Sequence, residues 1–399
     1  MNKCEPNDRM QYRIVHVLTR LLRAGAEENT VATCQYQIDS GHEVYLIHGN
    51  EFDPEYAREL NPAIKRIKID ELVHPIQPVN DYKGLQALKR EYRKIRPDVV
   101  HTHQSKAGAL GRLAVADESC ATIHTVHIAH FLSVGWLREK LYVALEKYCS
   151  RRTHKIIDVS GGVMQACLDR GIGKPDQHQV IHSGMDIEKF KSAREPENWQ
   201  RYITNWPAPD KPFVVLMLAA FEPRKRHEPF LESIAPVLRR NIRLCAVFCG
   251  QGDRLDAAKR LSHRLGIADQ VRFVGFVSDP ERYIALADLC VLTSEREGLP
   301  RVFVQYVAGG KTIVANHLPG IEDIVQHGYN GVVLPGDEIN GVATEIERLV
   351  NDSGALQKMN KNAASASVSS WDVCQMGEKI QAVYEGALHI RSESLTSTP

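Results

Sequence analysis

Two cations and a carboxylate are the residues of this chain best suited to chemistry. Arg224 and Lys225 follow the apolar run 213–218 through Glu222 and Pro223, and Glu297 follows the run 288–293. Both runs read as buried strands, and Val302, Tyr306 and Val307 recur at helical spacing after Glu297. Each group therefore stands in a loop at the carboxyl end of a strand, the edge where open α/β sheets take ligands. Two fixed positive charges there suit a diphosphate leaving group, because they neutralise charge that grows as the bond to the phosphate oxygen breaks. A carboxylate nearby suits sugar hydroxyls, from which it accepts hydrogen bonds. The competing reading makes Arg-Lys-Arg-His a solvated run and Glu297 part of a charged surface loop.

Histidines form the second concentration of chemistry. His101 and His103 lie in the strand 98–103, while His124, His127 and His130 mark the exit of the strand 121–126. His-x-His on a strand recurs in metal hydrolases, but no downstream carboxylate motif completes a site here, so no metal is expected. Strand-end placement favours substrate contact by His127. Ser105, Lys106 and Gly108 follow His103 directly. Gly25 opens a helix after the first strand, where glycine lets backbone N–H groups approach a phosphate or sugar. A plain tight turn is the alternative at Gly25.

Several motif-like stretches fail. Gly309-Gly310-Lys311-Thr312 ends like a phosphate loop, but Gln305 occupies the place of the leading glycine and Lys311 starts an apolar strand. Gly250-Gln251-Gly252 is too short for a dinucleotide fingerprint, and no Gly-x-Ser-x-Gly elbow occurs. There is no Asp-x-Asp, so a metal-bridged diphosphate site is unsupported. No cofactor is implied.

The elements that must position these groups alternate strand and helix along the whole chain, which implies parallel, doubly wound sheets. At 399 residues two domains are the default. The expected division is a disordered tail 1–12, a Rossmann-like domain 13–185, a linker 186–211, a second Rossmann-like domain 212–370, a helix 371–390 and a disordered tail 391–399. A cleft between the two halves is the inferred architecture. The 50 Lys and Arg nearly balance 49 Asp and Glu, which leaves no basic excess for nucleic acid. Nine cysteines include no Cys-x-x-Cys pair, so buried, reduced thiols of a cytosolic protein are expected. No window approaches a membrane span, and the first residues lack a signal-peptide core. The helix 136–152 is amphipathic with a basic end, which suits either an anionic lipid surface or a solvated face.

With these residues in place, the chain resembles the family-4 retaining glycosyltransferases of the GT-B fold over residues 13–390. The matching pieces are Gly25-Ala26-Glu27, Gly41-His42-Glu43-Val44, Asp98 to His103 with Lys106-Ala107-Gly108, Thr125-Val126-His127 and Val159 to Val163. Glu222 to Lys225, Glu297-Gly298-Leu299-Pro300 running to Gly309, Pro319 to Asp323 and Gly328 to Gly331 complete the set in order. The first half looks most like members that build bacterial surface polysaccharides on a lipid carrier.

That resemblance implies a metal-independent hexosyltransferase using a UDP- or GDP-linked sugar, in the cytoplasm, either free or at the inner face of the cell membrane. Glu297, with Gly298, Leu299 and Pro300, would hold the donor sugar, and Arg224 and Lys225 would grip its diphosphate. Gly25 and Gly250 would lie close to the donor. His127 would contact the transferred sugar, while His103 and Lys106 would lie toward the acceptor. The last helix would return to the first domain. Three departures stand out: Gln305 replaces the second glutamate of the Glu-x7-Glu motif, Ala220 stands where many members carry arginine, and Asp323 replaces glutamate. They motivate a rival reading, a sugar-nucleotide-binding protein without turnover. A sugar-nucleotide epimerase and a metal hydrolase are the remaining alternatives.

Overall fold

The computed structural model describes residues 10–116, 120–127, 136–297 and 300–396. The chain divides into two compact units, Met1–Met185 with Ser370–Pro399, and Asp186–Ser369. The first unit contains β1 (Arg13–Val17), β2 (Arg20–Leu21), β3 (Glu43–His48), β4 (Glu51–Phe52), β5 (Lys65–Lys68), β6 (Val99–His103), β7 (Ala121–Val126), β8 (Lys155–Asp158) and β9 (His178–Val180). Seven of these form one sheet in the order β5-β3-β1-β6-β7-β8-β9, and β2 pairs with β4 apart from it. All pairings are parallel; Val15, for example, lies between Tyr45 and Val100.

The second unit contains β10 (Phe213–Leu218), β11 (Leu244–Cys249), β12 (Val271–Gly275), β13 (Leu289–Leu292), β14 (Ile313–Asn316) and β15 (Gly331–Leu334). Their order is β12-β11-β10-β13-β14-β15, again all parallel. Helices on both faces explain why the central strands are continuously apolar, with Leu244 to Cys249 and Leu289 to Leu292 buried throughout. In both units the winding reverses direction beside the first strand, between β1 and β6 and between β10 and β13. That reversal opens a crevice at the carboxyl ends of those strands.

Local signals set the connections. Pro97 disfavours helix at the residue before it, and the helix Pro78–Ile95 ends on Arg96 at φ 52°. Ser160 caps the helix Gly161–Asp169 by accepting from the Val163 N–H at 3.3 Å.

Three boundaries differ from the sequence reading. Residues 186–211 are packed into the second unit rather than forming a bare linker. Asp186 caps a short helix, Ile187–Lys191, whose Ile187 and Phe190 are buried, and Lys189 pairs with Glu281 at 3.0 Å. So few apolar residues, flanked by charge, carry no readable period. A helix at Ser353–Ser365 went unread for the same reason. The terminal helix runs Val373–Thr396, past residue 390 and into the stretch expected to be disordered.

That terminal helix packs on the helix Gly25–Asp39 and on β7. Its Met376, Ile380, Val383 and Ala387 join Ile14, Val99, Ile123 and Ile157 in one core cluster. The approach to the first helix is so close that a Cβ on Gly377 would lie 2.3 Å from the Tyr36 ring. Glycine there is a packing requirement.

The first unit buries His16, His101, His103 and His124. Burial drives all four downward, His16 to about 4 and the others well below their ordinary value, so the folded chain holds them neutral. His178 runs the other way: burial lowers it, but its bond to Asp158 prevails and raises it. Unfolded imidazoles take up protons near pH ~6.5, whereas these four do so only at lower pH. Their stabilisation is therefore complete above that pH and declines as pH falls toward the folded values. Each histidine removes up to about 1.4 kcal/mol per pH unit in that window. The thermal midpoint should drop on acidification from neutral through that window, and a flat profile would contradict the assignment.

Candidate donor and sugar site

The second unit brings Arg224, Lys225 and Glu297 together. Pro223 starts a 3-10 turn, Pro223–Lys225, that ends on Arg226 in the left-handed region at φ 57°. This turn leaves β10, and the loop carrying Glu297 leaves β13, its neighbour across the winding reversal. The two loops are stapled by one backbone and one side-chain hydrogen bond: Glu295 N–H donates to the Arg224 carbonyl at 2.8 Å, and Thr293 Oγ1 donates to the Lys225 carbonyl at 3.0 Å. The Glu297 side chain, only 9% exposed, then receives both cations. Arg224 Nη1 donates to Oε2 at 2.8 Å, and Lys225 Nζ donates to Oε1.

Burial alone would raise the Glu297 carboxyl. The charges of Lys225 and Arg224, and the hydrogen bonds they donate, outweigh it and hold the group below the ordinary glutamate range. The carboxylate is ionised at every physiological pH. Arg224 Nε is further held by Glu222 at 2.7 Å. Removing one member of such a buried set leaves charge uncompensated, at a cost of about 3–5 kcal/mol.

Gly250 lies at the exit of β11 with φ 152°, and a Cβ there would come within 2.0 Å of the Ala219 carbonyl oxygen. Only glycine allows the β10 and β11 exit loops to approach this closely. Ala220, in the first of these loops, is exposed. Gln305 is half-buried on the helix Arg301–Ala308, which Pro300 precedes. Gly298 and Leu299 lie outside the described residues, as does His130. Lys311 is withdrawn from ligand chemistry: its Nζ donates to the carbonyls of Ala285 and Ala287 at 3.0 and 2.6 Å.

In the first unit the corresponding reversal lies between β1 and β6. Gly25 begins the helix Gly25–Asp39 and is exposed. His103 ends β6, fully buried, and its Nδ1 lies 3.2 Å from Nε2 of the half-buried His127. Lys106, expected on the acceptor side, is already neutralised by Asp81 and donates to the Pro75 carbonyl at 2.6 Å.

Residues that the sequence left unmarked also converge here. Gln104 holds φ 61° and ψ 167°, a strained conformation for a side-chain-bearing residue. Its amide accepts from Thr19 N–H at 3.0 Å and donates to the buried Glu27 at 2.9 Å, tying the β1 and β6 exits together. Such a φ leaves no trace in sequence pattern.

Among the described residues, His16, His101 and His103 bring ring nitrogens within 4.8 Å of one another. Every one of those nitrogens has a hydrogen-bond partner: His16 binds His103 and Gln37, His101 binds Tyr384 and Thr125, and His103 binds His16 and His127.

Comparison with known proteins places the fold and the family. A model described as Glycosyltransferase Family 4 matches residues 23–189, and one described as Glycosyl transferases group 1 matches residues 200–366. The chain is 25% identical over 331 residues to the Escherichia coli UDP-Gal:alpha-D-GlcNAc-diphosphoundecaprenol alpha-1,3-galactosyltransferase, covering 82% of this chain and 84% of that protein. It is 28% identical over 204 residues to a GDP-mannose-dependent phosphatidylinositol monomannoside mannosyltransferase of Mycobacterium tuberculosis, covering 48% of this chain and 52% of that one. Among solved structures, Anabaena HepE in complex with UDP and glucose aligns with TM-score 0.79 at 19% identity, over 97% of this chain and all of that one. Sucrose-phosphate synthase from Thermosynechococcus elongatus aligns equally well, over 95% of this chain. The chain belongs to the family-4 glycosyltransferases and has their GT-B fold.

Proposed function

We propose that this glycosyltransferase moves a hexose from a UDP- or GDP-linked sugar to an acceptor hydroxyl, without a metal and with retention of anomeric configuration. The observation that carries this reading is the buried Glu297 held between Arg224 and Lys225 at the carboxyl ends of two adjacent parallel strands. Arg224 and Lys225 grip the donor diphosphate, and Arg224 takes over the charge that Ala220 does not supply. Glu297 keeps both cations aimed and accepts hydrogen bonds from the sugar. Gly298, Leu299 and Pro300 complete the sugar side. Gln305 accepts from the ribose through its amide oxygen, and the bare backbones at Gly250 and Gly25 admit the donor closely. His127 contacts the transferred sugar, with His103 and Lys106 toward the acceptor.

As the C1–O bond to the diphosphate breaks, positive charge spreads over the ring as an oxocarbenium-like state. The acceptor oxygen bonds C1 on the face the diphosphate leaves. The acceptor proton passes to the departing phosphate oxygen, so no strong protein base is required. Arg224 and Lys225 lower the barrier by stabilising the negative charge collecting on that diphosphate. Each of Glu297→Ala and Lys225→Ala should cut turnover at least about tenfold, roughly 1.4 kcal/mol of barrier. Proton NMR of the product should show the donor's anomeric configuration. Wild-type turnover in both variants, or an inverted product, would defeat the mechanism.

The acceptor we infer is a lipid-linked saccharide used in bacterial polysaccharide or glycolipid assembly, as the diphosphoundecaprenol acceptor named for the Escherichia coli relative suggests. Contact with the inner membrane face would run through the helix Trp136–Ser150. Trp136 (69%), Leu141 (67%) and Tyr148 (47%) are exposed there. Arg138, Lys140, Lys147, Arg151 and Arg152 are exposed around them. Its acidic residues are neutralised instead: Glu139 pairs with Arg170 at 2.9 Å and Glu146 with the buried Arg112 at 2.7 Å. Exposed apolar side chains among cations that the helix's own acidic residues do not pair with fit an anionic lipid surface, at about 1 kcal/mol per cation. Vesicles of phosphatidylcholine and phosphatidylglycerol in equal parts should sediment the protein, and Lys140→Glu with Lys147→Glu and Arg151→Glu should weaken this at least about tenfold. Equal sedimentation of both proteins would remove the membrane contact.

A further inference from the structure

The crevice of the first unit holds a cation that no hydrogen bond commits. At the carboxyl ends of β1 and β6, Gln104 is spent on Thr19 and Glu27, and Lys106 on Asp81 and the Pro75 carbonyl. Thr19 Oγ1 accepts from the Ala107 N–H at 3.1 Å. Arg20 differs. Among the described residues its guanidinium makes no hydrogen bond, and its Nε is closed to water without a partner. Its nearest charges are Glu27 Oε1, 3.9 Å from Nε, and Glu51 Oε1, 3.8 Å from Nη1. Both lie beyond hydrogen-bond reach.

The backbone fixes this pair side by side. β2 and β4 are two residues each and stand apart from the main sheet, with Arg20 opposite Glu51 and Leu21 opposite Phe52. Leu21 is fully buried, and its carbonyl accepts from the Asp53 N–H at 2.9 Å. Alternation along the strand turns Arg20 the other way. Its side chain stays 31% exposed and that of Glu51 48%, so both reach solvent. Glu51 too makes no hydrogen bond among the described residues. The exposed His74 lies within range of both charges: burial and then Arg20 lower its ionisation, and the ring is neutral at neutral pH.

The signs of the neighbouring charges select the ligand. A phosphate needs net positive charge, but Glu27 and Glu51 flank Arg20, and Lys106 is cancelled by Asp81. Sugar hydroxyls need donors beside acceptors, since each hydroxyl both donates and accepts. The planar Arg20 fork next to the Glu51 carboxylate supplies that pairing. Its place in the fold agrees: Thr19, the residue before Arg20, is tied to Gln104, the residue after His103.

We propose that Arg20 and Glu51 are specificity-determining residues that bind neighbouring hydroxyls of the acceptor's sugar rather than its phosphate. The assignment rests on the acceptor side proposed above, where His103 and Lys106 stand. Arg20 takes the part that Lys106, bound to Asp81, cannot.

Full-length protein carrying 15N-arginine reports the contact through its Nε–H signals, with Arg20 assigned by Arg20→Lys. The probes are octyl α-glycosides of glucose, galactose, mannose, N-acetylglucosamine, N-acetylgalactosamine and rhamnose, and inorganic pyrophosphate. At least one glycoside should shift the Arg20 signal, and pyrophosphate should not. Glu51→Gln, at an exposed residue outside the core, should weaken the same titration at least about tenfold. Turnover is then read with the glycoside that binds most tightly. Arg20→Lys keeps the charge beside Glu27 but loses the fork, so it and Glu51→Gln should each raise the acceptor KM at least about tenfold. The donor KM and kcat should move less than about twofold, a split that a merely structural role would not produce. An Arg20 signal that no glycoside moves, or that pyrophosphate moves, would overturn the proposal, as would an unchanged acceptor KM in both variants. Glycoside binding that depends on Glu51, without transfer from any donor, would instead overturn the enzymatic reading and leave the sugar contact standing.

Discussion

A carboxylate buried between two cations is the interaction on which the function proposed for the second unit depends. Glu297 is nearly closed to solvent, yet it stays ionised because Lys225 and Arg224 both reach it. Burying three charges is expensive, and the cost is offset only when the partners are fixed in advance. Here the fixing is done at the backbone carbonyls of the cations: the Thr293 hydroxyl binds that of Lys225 and the Glu295 N–H that of Arg224. Strand order supplies the rest. Because β10 and β13 are neighbours across the winding reversal, residues some 70 apart in sequence meet without any long side chain having to stretch. A group arranged in this way would need little reorganisation on meeting the proposed donor diphosphate, which is the condition for strong electrostatic stabilisation.

The first unit solves a related problem with neutral groups. Its reversal between β1 and β6 is closed by Gln104, which binds Thr19 and Glu27 from a strained backbone position. Behind it, polar side chains that would be costly alone are satisfied by one another from His127 to Thr125. The terminal helix contributes Tyr384 to that chain, and its Gln381 holds His42 at 3.1 Å. A helix expected only to return to the first domain is therefore also part of its polar interior. Its close fit at Gly377 leaves little freedom for the seat to shift.

The doubly wound sheets were legible because parallel strands covered on both faces write continuous apolar runs, and β10, β11 and β13 do so plainly. The meeting of Arg224, Lys225 and Glu297 was legible because loops at the carboxyl ends of parallel strands share one edge of the sheet once the strands are known. Lys106 shows the limit of that inference: placement after β6 was right, but its pairing with Asp81 depends on a helix outside the motif. His16, Gln37 and Tyr384 had no local signature, since a hydrogen bond spanning most of the chain leaves no spacing to read. The packed segment after Asp186 escaped notice because a five-residue helix carries too few turns for periodicity.

Titration calorimetry with UDP and with GDP measures the central claim most directly. The wild type should bind one of the two, and the Arg224→Ala/Lys225→Ala double variant should bind it about a hundredfold more weakly, as expected for two lost charge-assisted contacts. Equal affinity in the two proteins would mean that these cations do not hold the diphosphate, and the account of the second unit would be wrong.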